Sequence, residues 1–193
     1  MPAQLITPPS IEPVTLAAAK AHLRVEISDD DDLIGALITA ARVLVETSIR
    51  RVLITQRWRL MYDCWPPDGL IELRATPIQS VDSVVVYDAL GNAAPLNPAA
   101  YQVDLVSVPA RFLLTVPAEM VKPGRPLAGI EIDVTAGYGL SGLQVPQPLQ
   151  LAMMMLVARW YEFRDGSAIG TVPAPIEQGF EALIAPYRVL RIK

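Results

Sequence analysis

The sequence predicts an α+β protein in which a bundle of about four helices is interrupted by an antiparallel β sandwich or barrel. Near both ends of the chain, apolar residues recur at three- and four-residue steps, the period of an amphipathic helix. In the middle they alternate with polar residues, as along half-buried strands, and no helix separates successive strands. We predict an arm at residues 1–14, a helical bundle formed by residues 15–53 and 146–186, an inserted β region at residues 54–140, and a tail at residues 187–193.

The composition indicates a folded chain with surplus apolar surface. Of the 193 residues, 52% are hydrophobic and 19% are charged, and the mean hydropathy is +0.34. No apolar run reaches the roughly 18 residues that a membrane span needs. The excess therefore suggests apolar surfaces buried between subunits. The net charge of −4 does not favour wrapping nucleic acid.

The first 13 residues contain four prolines and show little periodicity. They lack the basic start and apolar core of a signal peptide. We expect an extended arm, and two states stay open: a disordered tail, or a segment that docks on a neighbouring molecule. A short helix then follows at residues 15–23, capped by Thr15.

The longest predicted helix spans residues 29–53. Ser28 is a good N-cap, Asp29–Asp32 provide negative charge at the positive end of the helix dipole, and Arg50 and Arg51 provide positive charge at the other end. The predicted apolar face consists of Leu33, Ile34, Leu37, Ile38, Ala41, Leu44, Val45, Ser48, Ile49 and Val52. The acidic run does not fit a calcium loop, because Leu33 stands at a ligand position. Helix capping explains it better.

About six strands are predicted between the helical parts. They cover residues 55–64, 70–73, 81–88, 101–106, 111–116 and 130–135. Proline and glycine separate them. Gly137, Tyr138, Gly139 and Gly142 follow the last strand, and we interpret them as a turn leaving the sheet, because no phosphate-binding glycine motif is present.

Two more helices are predicted, at residues 149–164 and 176–185, with Pro186 ending the second. The first is apolar almost all round, so we expect a neighbouring subunit to cover part of it. The candidate inter-subunit residues are Met153, Met154, Met155 and Trp160. Packing of the three methionines in the chain's own core stays an equal alternative.

No catalytic or metal-binding constellation is evident. A single cysteine, Cys64, excludes an internal disulfide, and with a single histidine, His22, it makes a zinc site of His and Cys ligands in one chain nearly impossible. We predict no enzyme activity, cofactor or metal. One alternative is a small ligand-binding or enzymatic domain with its site in the β region. The carboxylates available to it are Asp63, Asp68, Glu72, Asp82, Asp88, Asp104 and Asp133.

Several short segments together resemble the head-tail adaptor, or connector, family of tailed bacteriophages and phage-like gene transfer agents. They occur in order over nearly the whole chain. They are LAAAKAHLRV at residues 16–25, Asp32-Leu-Ile34, Ala40-Ala-Arg42, Val45-Glu46, Arg51-x-Leu53, Gln56-x-Trp58, VTAGYG at residues 134–139, Tyr161-Glu-x-Arg164 and LIAPYRV at residues 183–189. The family fold, helices flanking a β insertion, is similar to the predicted layout.

The resemblance implies a structural protein of the virion or phage-like particle. It would form a ring, a dodecamer in this family, between the portal of the DNA-filled capsid and a tail-side stopper or tail terminator. Double-stranded DNA would pass through the lumen without sequence-specific binding, and assembly would take place in the bacterial cytoplasm. A DNA-packaging accessory protein is a further alternative, but it would need a basic face, and the 16 basic residues are dispersed among 20 acidic ones.

The C-terminal tail is a candidate portal contact, because in the resembling family this region reaches into the portal. Apolar and basic residues alternate along it: Tyr187, Arg188, Val189, Leu190, Arg191, Ile192 and Lys193. Such a segment can add to a sheet edge or fill a groove. Folding back on the chain's own bundle is the alternative.

Overall fold

The computed structural model describes residues 3–163 and 174–189. The chain divides into two compact units. The β unit comprises Met1–Pro9 and Thr55–Gly137, and the helical unit comprises Ser10–Ile54 and Tyr138–Lys193. The fold class predicted from the sequence is confirmed, since the described residues form four α-helices and two antiparallel sheets.

The four helices of the helical unit lie close to their predicted positions. They are α1 (Leu16–Leu23), α2 (Asp31–Ile49), α3 (Gln147–Glu162) and α4 (Ala174–Ile184). The Thr15 hydroxyl accepts a hydrogen bond from the Ala18 N–H at 3.1 Å, so Thr15 caps α1 as predicted. After α4, Ala185–Tyr187 form a single 3₁₀ turn that includes Pro186. No described helix combines the length and apolarity that a bilayer crossing requires.

The long helix α2 is shorter at both ends than residues 29–53. Ser28 is not its N-cap, because the Ser28 carbonyl accepts a hydrogen bond from the Asp31 N–H in the preceding turn, and Asp30 takes the cap position. At the other end, Arg50 adopts a left-handed conformation with φ of 58°. That conformation ends the helix in the way that glycine often does.

The core of the helical unit is formed by one face of α2 and by α3. On α2, Ile34, Ile38, Ala41, Val45 and Ile49 are at most 2% exposed. They pack with Leu149, Ala152, Met153 and Val157 of α3, among other residues. Two residues predicted on this face, Leu33 and Leu44, are exposed instead.

Arg42 of α2 is a charged residue that is only 8% exposed. Its Nε donates to Glu12 Oε2 at 2.8 Å, and another guanidinium nitrogen donates to Glu46 Oε2 at 2.9 Å. Glu46 also accepts the Leu53 N–H through its other oxygen. Arg42 therefore ties the chain before α1 to α2 by pairing with two carboxylates.

The β unit contains eight described strands, two more than predicted. They are β1 (Ala3–Thr7), β2 (Gln56–Tyr62), β3 (Leu70–Leu73), β4 (Ile78–Tyr87), β5 (Ala93–Pro95), β6 (Tyr101–Asp104), β7 (Ala110–Leu114) and β8 (Ile130–Ala136). The order is β1-β2-β8-β4-β5 in one sheet and β3-β7-β6 in the other, and all pairs are antiparallel.

The predicted N-terminal arm is extended, but its first half is a strand of the chain's own sheet. Ala3 pairs with Leu60 and Leu5 pairs with Trp58 of β2. All five residues of β1 are exposed, so this strand has no buried face to impose an alternating pattern on its sequence. For that reason the sequence did not reveal it. Val14, also within the predicted arm, is buried in the core of the helical unit.

The smaller sheet is centred on Phe112 of β7, which is fully buried. Its ring stacks on Tyr101, with centroids 4.7 Å apart, and on Trp65, with centroids 5.8 Å apart. Trp65 is held in place because its indole N–H donates to the Val121 carbonyl at 2.9 Å. This aromatic cluster forms the interior of that part of the β unit.

The buried Tyr62 of β2 is expected to make the folded protein less stable in alkali. It is 3% exposed, and burial raises its pKa to about 12, while Arg74 opposes the shift. As pH rises above about 10, Tyr62 ionises in the unfolded chain but stays protonated in the folded one, so the free energy of unfolding falls until about pH 12. In urea titrations between pH 10 and pH 12, the free energy of unfolding should fall less for Tyr62→Phe than for the parent protein. Equal slopes for both proteins would contradict this.

Candidate functional site

The candidate inter-subunit residues of α3 are mostly used within the chain. Met153 is fully buried in the helical core, so its side chain is not available to a neighbouring molecule. Met154 and Trp160 are partly buried and pack against the same core. The Met155 side chain lies beside Gly179 of α4. A role of the three partly buried residues in a subunit contact stays a prediction. The apolarity of α3 is explained largely by contacts with α2 and α4.

Part of the exposed apolar surface of the helical unit lies on α2. Residues at three- and four-residue steps form an exposed stripe, which we call the α2 strip: Leu33, Ala36, Ala40, Val43 and Leu44. Val43 is 50% exposed, and Leu33 and Leu44 are 36% and 39% exposed. None of the five is charged, and a solvated helix face normally carries charged or polar residues. An apolar stripe of this kind is typical of a protein contact surface.

The described start of the C-terminal tail is attached to the helical unit. The Val189 N–H donates to the Ile49 carbonyl at 3.1 Å, and Arg51 Nε donates to the Tyr187 carbonyl at 2.6 Å. Arg188 pairs with Glu181 at 2.7 Å. These three of the predicted portal-contact residues therefore fold back on the bundle. The other four, Leu190, Arg191, Ile192 and Lys193, lie outside the described residues.

Six of the seven carboxylates considered for a β-region active site hold local structure. Asp68, Asp88 and Asp104 accept backbone N–H groups in turns, and Asp63 accepts the Ala128 N–H. The Asp82 carboxylate accepts hydrogen bonds from the side chains of Ser80, Arg57 and Thr135. The Asp133 carboxylate accepts hydrogen bonds from Arg59. The Glu72 carbonyl accepts a hydrogen bond from the Tyr62 hydroxyl at 3.5 Å. The six lie at separate turns and strands and pair with structural partners.

The strongest electrostatic feature of the β unit is an ion-pair layer on one face of the larger sheet. Arg59 forms two hydrogen bonds to Asp133, at 2.7 and 2.9 Å, and lies 3.2 Å from Glu131. The hydrogen bond to Asp133 raises the pKa of Arg59 above its usual value. Burial and a hydrogen bond to Glu131 raise the pKa of Tyr87. Acidic and basic groups are paired here, so this face presents neither a basic surface for DNA nor an open acidic one.

A shallow cavity of about 530 Å³ in the β unit is lined by Trp65, Pro66, Pro67, Leu114 and Pro117, among others. The exposed Cys64 also lines it. The residues that the structure describes contain no group of three His, Cys, Asp or Glu side chains positioned to hold a metal ion.

Comparison with protein families gives one match. Residues 13–91 match the family of gp6-like phage head-tail connector proteins. That segment covers α1, α2 and the strands β2, β3 and β4. A comparison with curated proteins found no match.

Comparison with solved structures gives similarity over the whole chain. A chain in the neck of an empty gene transfer agent particle, computed with C6 symmetry, is 27% identical, with a TM-score of 0.80. A chain in the neck of a native gene transfer agent particle, computed with C12 symmetry, is 26% identical, with a TM-score of 0.75. A chain from the virion of a native gene transfer agent particle is 24% identical, with a TM-score of 0.81. Each of these matches covers 100% of this chain and 98% of the chain from the particle.

Two independent likenesses therefore agree with the segments that first suggested an adaptor. One is a match of the α1–β4 sequence to a family model, and the other is a fold shared from end to end with proteins of gene transfer agent particles. Together they confirm that this chain resembles the head-tail connector proteins of tailed phages and gene transfer agents.

Proposed function

We propose that this chain is a structural adaptor at the head-tail junction of a phage-like particle, where its copies form a ring between the portal and the tail. The observation that carries the proposal is the likeness, at 26–27% identity and over the full chain, to proteins found in particle necks. The connector-family match over residues 13–91 supports the same role. The ring is a dodecamer, in keeping with the C12 symmetry used for one of those necks.

The chain's own residues support a structural role rather than an enzymatic one. The carboxylates of the β unit that have described side-chain partners brace turns and ion pairs. The apolar α2 strip is exposed in the single chain, and burying it against another subunit is favourable by roughly 25 cal/mol per Å². A ring of identical subunits needs apolar contact surfaces and no catalytic group.

Double-stranded DNA passes through the lumen of the proposed ring without sequence-specific binding. The net charge of the chain is −4, and the arginines of the larger sheet are paired with carboxylates. A negatively charged chain with paired arginines neutralises few phosphates, so it releases few counterions and binds DNA weakly. That property suits a channel through which a genome must move.

The C-terminal residues 190–193 are the proposed contact with the portal, and the opposite side of the ring receives a stopper or tail terminator. The segment preceding them is fixed by the Val189–Ile49 hydrogen bond and the Arg188–Glu181 pair, so the last residues start from a defined place on the helical unit. Their apolar and basic side chains are suited to a groove with acidic groups at its rim.

Removing residues 190–193 tests this contact. The deletion spares the two contacts that hold residues 188 and 189, so the helical unit should keep its thermal stability. We expect binding to purified portal rings, measured by co-sedimentation, to weaken at least tenfold, about 1.4 kcal/mol. A control is Arg111→Ala, which removes a surface ion pair of the β unit and should leave portal binding unchanged. A folded truncated protein that binds at full affinity would refute the portal contact of the tail while leaving the ring proposal in place.

A further inference from the structure

The segment that connects β8 to α3 presents two leucines to solvent. In residues 139–144, which we call the leucine turn, Leu140 is 71% exposed and Leu143 is 94% exposed. No other large hydrophobic residue in the described chain is more exposed than Leu143. An apolar side chain projecting this far gains nothing from water, and it is a suitable anchor for a pocket on another molecule.

The leucine turn is held in a fixed shape. The Ser141 hydroxyl accepts the Leu143 N–H, and the Gln144 side chain accepts the Ser141 N–H at 3.1 Å, which completes a capping box. The Gln150 side chain donates to the carbonyls of Gly142 and Val145 at 2.9 and 2.8 Å. Because the turn is already ordered, docking Leu143 costs little conformational entropy.

The α2 strip has a matching shape. Ala36 and Ala40 lie in its middle, with Leu33 toward one end and Val43 and Leu44 toward the other. Small residues between larger ones leave a hollow on the helix surface, into which an apolar side chain can fit. Neither the strip nor the leucine turn carries a charge, in a chain with 16 basic and 20 acidic residues. Contact between them leaves no charge buried and unpaired.

The two surfaces lie on different sides of α2. Gly142 of the leucine turn is close against the Pro13 carbonyl, where an added Cβ would lie 2.4 Å away. Glu12, the preceding residue, binds Thr39 and Arg42 of α2. At about 100° per residue, Thr39 and Arg42 lie roughly 100° and 160° from Ala40, both on the same side of the helix. The turn is therefore on the side of the helix that carries Thr39 and Arg42, and the middle of the strip lies roughly 100–160° round the helix from it.

We propose that the leucine turn of one copy docks on the α2 strip of the next copy, with Leu143 seated over Ala36 and Ala40. The proposal rests on the ring of the proposed function and adds the contact that closes it. Head-to-tail contacts between two different surfaces of each copy generate a ring when the rotation closes. In a twelvefold ring successive copies turn by only about 30°, so the two contact surfaces must lie on nearly opposite sides of each copy. The leucine turn and the α2 strip meet that requirement.

Substitution of Leu143 tests the docking directly. Leu143→Asp adds a charge that the strip cannot pair, and it should reduce incorporation of the protein into assembled particles at least tenfold. Because the side chain is almost fully exposed, the variant should keep the circular dichroism and melting temperature of the parent. The matched control is Leu90→Asp, at a leucine that is 87% exposed in the β unit, which should assemble normally. Equal incorporation of Leu143→Asp and the parent would overturn the proposal.

A cysteine pair identifies the two surfaces independently. In a Cys64→Ser background, Leu143→Cys and Ala40→Cys are combined, and particles are oxidised and analysed on a non-reducing gel. Docking predicts a ladder of covalent multimers up to the ring size from the double variant, and no ladder from either single variant. A double variant that assembles but stays monomeric, or forms only an internal crosslink, would overturn the contact. If the unsubstituted protein itself never joins particles, the proposed function fails and the docking fails with it.

Discussion

Replacing Phe112 with alanine is expected to lower the free energy of unfolding of the β unit by about 3–5 kcal/mol. The side chain is fully buried and its ring stacks between Tyr101 and Trp65. Alanine would remove the transfer free energy of the ring, lose both stacking contacts and leave a cavity. Urea unfolding followed by tryptophan fluorescence measures the effect, since Trp65 reports on this cluster.

The neighbouring Leu113→Ala is the matched control for Phe112. It lies on the same strand but points the other way and is 38% exposed. Leu113→Ala should lower the free energy of unfolding much less than Phe112→Ala, because little buried area disappears and no closed cavity forms. Similar destabilisation by the two substitutions would show that the aromatic cluster is not the interior of this part of the unit.

Replacing Arg42 with alanine is expected to destabilise the helical unit by about 3 kcal/mol. The substitution leaves Glu12 and Glu46 without their shared cation, and the side chain of Glu46 is only 15% exposed. It also removes the ion pair between Glu12 and α2, while the hydrogen bond from Thr39 to Glu12 remains. Thermal unfolding followed at the helical circular dichroism band measures the loss.

Arg111→Ala supplies the comparison for Arg42. Arg111 pairs with Asp104 on the surface of the β unit, where solvent screens the pair. The pKa of Asp104 is lowered mainly by its hydrogen bond to Ser107 and then by Arg111, so the carboxylate keeps a partner when Arg111 is lost. Arg111→Ala should leave stability nearly unchanged. An Arg42→Ala protein as stable as Arg111→Ala would mean that the buried pairing contributes nothing.

The fold was largely predictable because burial leaves a period in the sequence. Ile34, Ile38, Ala41 and Val45 repeat with the helical period, and Ile130, Ile132 and Val134 alternate along β8. The strand β1 was not predicted, because all of its side chains are exposed and it is held by backbone pairing to β2. The extra strand β5 is only three residues long and includes a proline.

The candidate surfaces were harder to predict, because an apolar residue in a sequence does not say which molecule covers it. The apolar run of α3 suggested a subunit contact, yet Met153 is enclosed by the chain's own helices. Leu33 and Leu44 were assigned to the core face of α2, and they are exposed because apolar residues extend round the helix beyond that face. Leu143 gave no periodic signal, since it stands in a turn.

The central claim is that this chain forms a ring at the head-tail junction, and a reconstruction of the particles that contain it tests that claim most directly. The account predicts a ring of this chain between portal and tail, with leucine turns against α2 strips of neighbouring copies and DNA density along the axis. A junction fully accounted for by other proteins, with this chain absent from the neck, would contradict it.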